Sequence, residues 1–193
     1  MTAAMMLPSA MPMILLNRRG VAGPARIQSE LRTGIFVSAY LLVWAAAGVG
    51  VWIAARTGDA LLPMGAHALV VAAILLLAGV YQLTPLKTAC LHACRSPIDF
   101  LLTHWHPGVA GEFRLGLEHG FYCLGCCWAL MAVFVGAGAM GLLWAVIIAM
   151  AVFVEKVLPR GLVLGRVIGI ALIAGAVLVA ARPEIAQSLS GRM

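Results

Sequence analysis

An all-α fold is predicted: a polytopic transmembrane bundle of about six helices with one short helix lying at the membrane surface. Three observations predict it. The chain of 193 residues is 63% hydrophobic and only 10% charged, against about a quarter charged in ordinary soluble domains. Its mean hydropathy of +1.03 would leave apolar surface facing water in a soluble fold. Apolar stretches approaching the ~20 residues that cross a bilayer recur along the chain, divided by short polar connections. The expected organisation is therefore one membrane domain, residues 1–193, with no room for a soluble module. A net charge of +6 raises nucleic-acid binding, but the basic residues are spread through the connections without forming a patch. Nucleic acid is excluded as a partner, and the lipid bilayer is the expected one.

In chain order, MTAAMMLPSAMPMILL (1–16) is apolar, short for a full span and interrupted by Pro8 and Pro12. Prolines there should kink the helix and free carbonyls. No basic region precedes the run, so it does not read as a signal peptide. Spans follow at about 33–55 and 61–83, with RTGDA (56–60) as a tight turn between them. Thr84 and Pro85 form an N-cap and first-turn proline pair, which starts a surface helix over LKTACLHACRS inside the connection 84–117. The apolar run 119–154 is too long for one span. Gly136, Gly138 and Gly141 mark its break, giving spans at 118–136 and 140–156. EKVLPRG turns the chain into a last span at 161–181.

Basic residues favour the cytoplasmic side of a membrane. Connections 17–32, 84–117 and 155–166 hold ten Lys/Arg; the opposite side holds three, Arg56, Arg182 and Arg192. The expected location is the bacterial inner membrane, with the Cys/His-rich connection in the cytoplasm.

The chemistry-bearing segment is FYCLGCCWALM (121–131). On a helix, positions i, i+4, i+7 and i+8 share a face; His119, Cys123, Cys126 and Cys127 follow that spacing, and Met131 continues it. Gly120 and Gly125 remove bulk beside them and invite another helix to approach. A second group is Cys90-Leu-His92-Ala-Cys94, whose two cysteines share a face while His92 points elsewhere. Soft thiolate donors with imidazole suit copper, zinc or iron–sulfur clusters, and copper is preferred to zinc. The candidate metal ligands are Cys123, Cys126, Cys127, His119, Cys90 and Cys94. Two other readings stay open: cysteines serving as small apolar packing residues, and thiol–disulfide exchange through Cys123-x-x-Cys126, which a reducing cytoplasm disfavours.

Other features are weaker. His104-Trp105-His106-Pro107 could set two imidazoles on one side of an extended segment, or be an interfacial Trp with polar flanks. His67 sits inside the third span, and with His119 is the candidate pair of haem ligands. Met5, Met6, Met11 and Met13 read as packing, with thioether ligation to Cu(I) as the alternative. Glu112, Glu118 and Glu155 read as solvated or ion-paired helix termini. No phosphate loop, nucleophile elbow or paired intramembrane carboxylates occur, so catalysis is not expected.

AMMLPSAMPM near the start, YQLTPLKTACLHACRSP (81–97), HGFYCLGCCWALM (119–131) and EKVLPRG (155–161), in that order, resemble a bacterial family of predicted metal-binding integral membrane proteins. By matching positions, the resemblance implies motif roles for Cys90, Cys94, Cys123, Cys126, Cys127, Glu155 and Lys156. It also implies that residues ahead of AMMLPS are missing from this chain. The function expected is membrane-embedded metal binding, with copper delivery ahead of transport. The alternatives are an accessory subunit of a larger membrane complex, a homo-oligomer among them, and a thiol or haem oxidoreductase.

Overall fold

The computed structural model describes residues 2–20, 26–61, 67–136, 142–158 and 160–182. Among them the chain is all-helical, in the order α1 (Thr2–Gly20), α2 (Arg26–Leu61), α3 (His67–Gln82), α4 (Pro85–Arg95), α5 (Pro97–His104), α6 (Gly108–Gly136), α7 (Leu142–Val157) and α8 (Gly161–Ala181). So apolar a chain has little choice, because helices satisfy every backbone polar group internally.

Fewer than six spans are found among the described residues. Among the described residues, three helical segments are long and apolar enough to cross a membrane: Ser29–Ala54, Gly108–Val135 and Gly161–Ala181. The α3–α4 pair, bent by 65°, makes a fourth if it counts as one broken span. The described parts of α3 and α7 have 16 residues each, below the ~20 required; residues 62–66 and 137–141, which precede them, lie outside the described residues. α1 continues through Pro8 and Pro12 but ends on Asn17, Arg18 and Arg19.

Two connections are also corrected. RTGDA is the last part of α2 and not a turn; the Thr57 hydroxyl donates back to the carbonyls of Ile53 (3.0 Å) and Ala54 (3.1 Å), which suits helix. The connection 84–117 is mostly helix. Ahead of α4, the Thr84 hydroxyl accepts from the Lys87 amide at 3.4 Å. α6 begins at Gly108, whose φ of 86° is open to glycine without penalty, and not at 118. Its end at Gly136 and the start of α7 at Leu142 flank the expected break; Gly138 and Gly141 lie outside the described residues.

The chain divides into two compact units. The first comprises residues 1–52 and 89–126. Its core packs Met13, Phe36, Phe100 and Leu115, flanked by Ile14, Val37, Ala93, Leu101 and Tyr122. α1 lies against α5. α6 meets α2 at two glycines one turn apart: a Cβ on Gly116 would collide with the Phe36 carbonyl and come 2.8 Å from the Ala39 Cβ, and one on Gly120 would come 2.9 Å from Val43 Cγ2. A polar tie crosses this core, where the Asn17 side-chain amide donates to Glu112 Oε2 at 3.0 Å with both residues buried.

The second unit comprises residues 53–88 and 127–193. α8 packs along α3 and against α7. A Cβ on Gly79 would come 2.7 Å from the Gly169 carbonyl oxygen, and one on Gly169 would come 2.8 Å from Gln82 Cβ. The two backbones touch. Beside this seam Lys87 Nζ donates to Glu155 Oε2 at 2.8 Å and to Gln82 Oε1, while the Gln82 amide donates to Glu155 Oε1 at 3.4 Å. Lys87 and Glu155 are both buried, and Gly165 leaves room for them, since its Cβ would lie 3.3 Å from Glu155 Oε1 and 3.4 Å from Lys87 Nζ.

Gly169→Leu is expected to destabilise the second unit by at least about 1–3 kcal/mol, the range for overpacking, read as a lower midpoint in denaturant titration. Breaking one partner of a buried ion pair costs about 3–5 kcal/mol, whereas replacing both by apolar residues is often neutral. The double variant K87M/E155L should accordingly be more stable than E155L; equal or lower stability would count against the buried pair.

Candidate metal centre

The face of α6 that carries the donors is the buried one. His119, Cys123, Cys126 and Cys127 are 3%, 0%, 2% and 1% exposed, whereas Phe121 and Trp128 on the outer face are 63% and 40% exposed. The stripe faces protein. Cys123 and Cys126 lie in the first unit; Cys127 is the next position along the same helix.

In the first unit the imidazole of His119 is surrounded by rings. Its centroid lies 5.9 Å from Phe36, 5.9 Å from Tyr40 and 5.3 Å from Phe100, the last edge-on. The Tyr40 hydroxyl oxygen lies 3.4 Å from the Met6 carbonyl oxygen and 3.2 Å from Cys123 Sγ. The phenol donates to Met6, and between the phenol and the Cys123 thiol either group can donate. Cys126 Sγ donates to the Cys123 carbonyl at 3.1 Å. A metal ion bound by these sulfurs would displace the thiol protons.

Cys90 reaches the same helix because residue 125 is glycine. A Cβ there would stand 2.8 Å from Cys90 Sγ, well inside contact distance. Cys90 also lies close enough to Cys126 for the two to interact electrostatically. Cys90 and Cys94 are half-buried and His92 is exposed, so the two cysteines of α4 do face differently from the histidine between them. The five cysteines are thiols, not disulfides. Among the described residues, no group of three or more His, Cys, Asp or Glu side chains is arranged to hold a metal ion. The donors are neighbours, but they do not form a closed coordination shell.

Other candidates fall elsewhere. The side chains of His67 and Met5 lie outside the described residues. Met6 and Met13 are buried and Met11 is exposed. Glu118 pairs with Arg114 at 2.8 Å. Glu155, near the end of α7, is ion-paired as expected, with Lys87, although the pair is buried, whereas Glu112 is neither solvated nor ion-paired: it is buried and accepts from Asn17. Sequence reading passed over Tyr40, Asn17, Gln82 and Lys87. The available signal was a polar or ionisable residue within or beside an apolar run, which usually faces the protein interior.

Membrane-length helices enclosing a face of thiols and one imidazole define a class: all-α proteins of membrane type whose interior offers soft donors. Over residues 1–179 the chain matches the PpoB2 family, described as copper chaperone, and it belongs to that family. This agrees with the metal-related family that its motifs resemble. No curated protein and no solved structure matches it.

Gly125→Ala should push the Cys90 sulfur out of its seat. Alkylation of Cys90 by a neutral maleimide, followed by peptide mass spectrometry, is expected to be several-fold faster in this variant. An unchanged rate would show that Gly125 does not position Cys90.

Proposed function

We propose that this protein is a membrane-embedded copper-delivery protein that holds Cu(I) at a centre on the inner face of α6. Cys123 and Cys126 are the core donors, with Cys127 included by its adjacency on the helix. His119, Cys90 and Cys94 complete or relay the site. The observation that carries this reading is the gap at Gly125, which seats the sulfur of a second helix beside the Cys126 turn. At Gly116 and Gly120 the atoms that fill the glycine gap are backbone and aliphatic ones; at Gly125 the atom is a sulfur. Family membership supports copper as the cargo.

An incomplete shell suits delivery. A chaperone must release its metal, and donors that approach without enclosing it leave positions open for an acceptor's ligands. Catalysis is not part of this reading. The bilayer is the surrounding medium, the bacterial inner membrane its location, and the distribution of basic residues favours the cytoplasmic side for residues 84–117. The partner is an acceptor protein that needs copper.

Protein extracted in mild detergent and loaded with Cu(I) should retain about one copper per chain at such a soft-donor site by elemental analysis. Replacing Cys126 and Cys127 by Ser should remove most of it. Less than about a tenth of a copper in the parent protein would overturn the proposal. Because the thiol protons compete with the metal, occupancy at fixed Cu(I) should fall as pH is lowered.

A further inference from the structure

Tyr40 stands in the middle of the seam between α2 and α6. The glycine gaps at Gly116 and Gly120 take in Phe36 and Ala39 on one side of it and Val43 on the other. α2 therefore lies on α6 around this residue, which is 0% exposed. Its ring centroid is 5.9 Å from that of His119 and 6.4 Å from that of Trp44. A ring alone would fill this place, as that of Phe36 does one turn earlier. The hydroxyl needs a separate account, because burying one without good hydrogen bonds costs stability.

Two groups adjoin that hydroxyl. The Met6 carbonyl oxygen is 3.4 Å away and Cys123 Sγ is 3.2 Å away. The first distance is long for an O–H···O bond, which runs about 2.5–3.0 Å, so the carbonyl holds the phenol proton weakly. The second is well within reach of the larger sulfur atom.

Cu(I) on Cys123 changes this balance. The thiol exchanges its proton, which passes to water, for the metal, and the sulfur left behind can only accept. Whichever group donated before, the phenol is then the donor of the pair. It has one proton for two acceptors, one a neutral carbonyl and the other a sulfur that carries negative charge. A hydrogen bond to a charged acceptor is roughly twice as strong as one between neutral groups, so the proton goes to sulfur.

We infer that Tyr40 is a positioning residue of the copper centre: its hydroxyl leaves the Met6 carbonyl for the Cys123 sulfur when that sulfur takes Cu(I), and so strengthens the hold on the metal. This role rests on the copper-delivery reading. It also gives delivery a way back. When an acceptor draws the metal off, the thiol regains a proton from water and the hydroxyl turns again to Met6. Rotation about the phenolic C–O bond serves both directions, and no helix has to move.

The test is a double-mutant cycle on the full chain in detergent, titrated anaerobically with Cu(I) against a chromogenic chelator. Tyr40→Phe should weaken binding by about tenfold, the low end for loss of a hydrogen bond to a ligating group, in the parent protein and beside Cys126→Ser alike. Beside Cys123→Ser it should change nothing. No loss in the parent, or the same loss beside Cys123→Ser, overturns the role, since a packing effect would act in both. Where a variant fails to fold or holds no copper, infrared difference spectra of the parent protein grown with isotope-labelled tyrosine decide. The phenol carbon–oxygen stretch should shift on loading with Cu(I), and should still do so with Tyr81→Phe and Tyr122→Phe; an unshifted band overturns the role. A parent protein that binds no Cu(I) overturns the copper-delivery reading and this role with it, whereas copper bound regardless of Tyr40 overturns the role alone.

Discussion

Close approach of helix backbones is the constraint on which the rest depends. Helices in an apolar medium gain nothing from hydrophobic burial against one another, and must associate by contact and by polar bonds. Here contact is made where side chains are missing. In the first unit Gly116 and Gly120 bring α6 onto Phe36 and Val43 of α2; in the second, Gly79 and Gly169 bring α3 onto α8. Polar residues then bond across the seams so formed, as Asn17 does with Glu112 and Lys87 with Glu155. Asn17 and Lys87 reach their partners because the backbones are close enough for short reaches.

The donor face of α6 follows from the same rule. Because Gly116 and Gly120 fix which side of α6 meets α2, the residues one and two turns further along that side, Cys123, Cys126 and Cys127, are turned inward as well. Gly125 repeats the device toward α4, with a thiol in place of an aliphatic chain. Packing and chemistry are written in one stripe. The rings around His119 line one end of it, and hydrogen bonds with the Tyr40 hydroxyl and the Cys123 carbonyl engage the sulfurs of Cys123 and Cys126.

The helical class was legible because composition alone sets the solvent, and the solvent dictates helix. Span lengths were less so: the 65° bend between α3 and α4 makes one broken element of what reads in sequence as a span followed by a surface helix. Within 84–117 the Thr84-Pro85 start announced α4, whereas α5 and the early start of α6 were not read, because polar and apolar residues are mixed there. At the site, the spacing of His119 and the three cysteines already told which residues share a face. What spacing cannot tell is which distant residue faces them. Tyr40 meets Cys123 across 83 positions and Asn17 meets Glu112 across 95; no local pattern in either segment announces the other.

The ion pair between Lys87 and Glu155 has a consequence for biogenesis. Their codons are 68 positions apart, so α4 is synthesised long before its counter-charge exists. Until α7 emerges, the ammonium of Lys87 has the neutral Gln82 side chain as acceptor but no counter-charge, and burying it in that state is costly. Docking of α7 is then the event that lets this turn settle inward, which makes the second unit a structure completed by its last helices and not one built outward from its first.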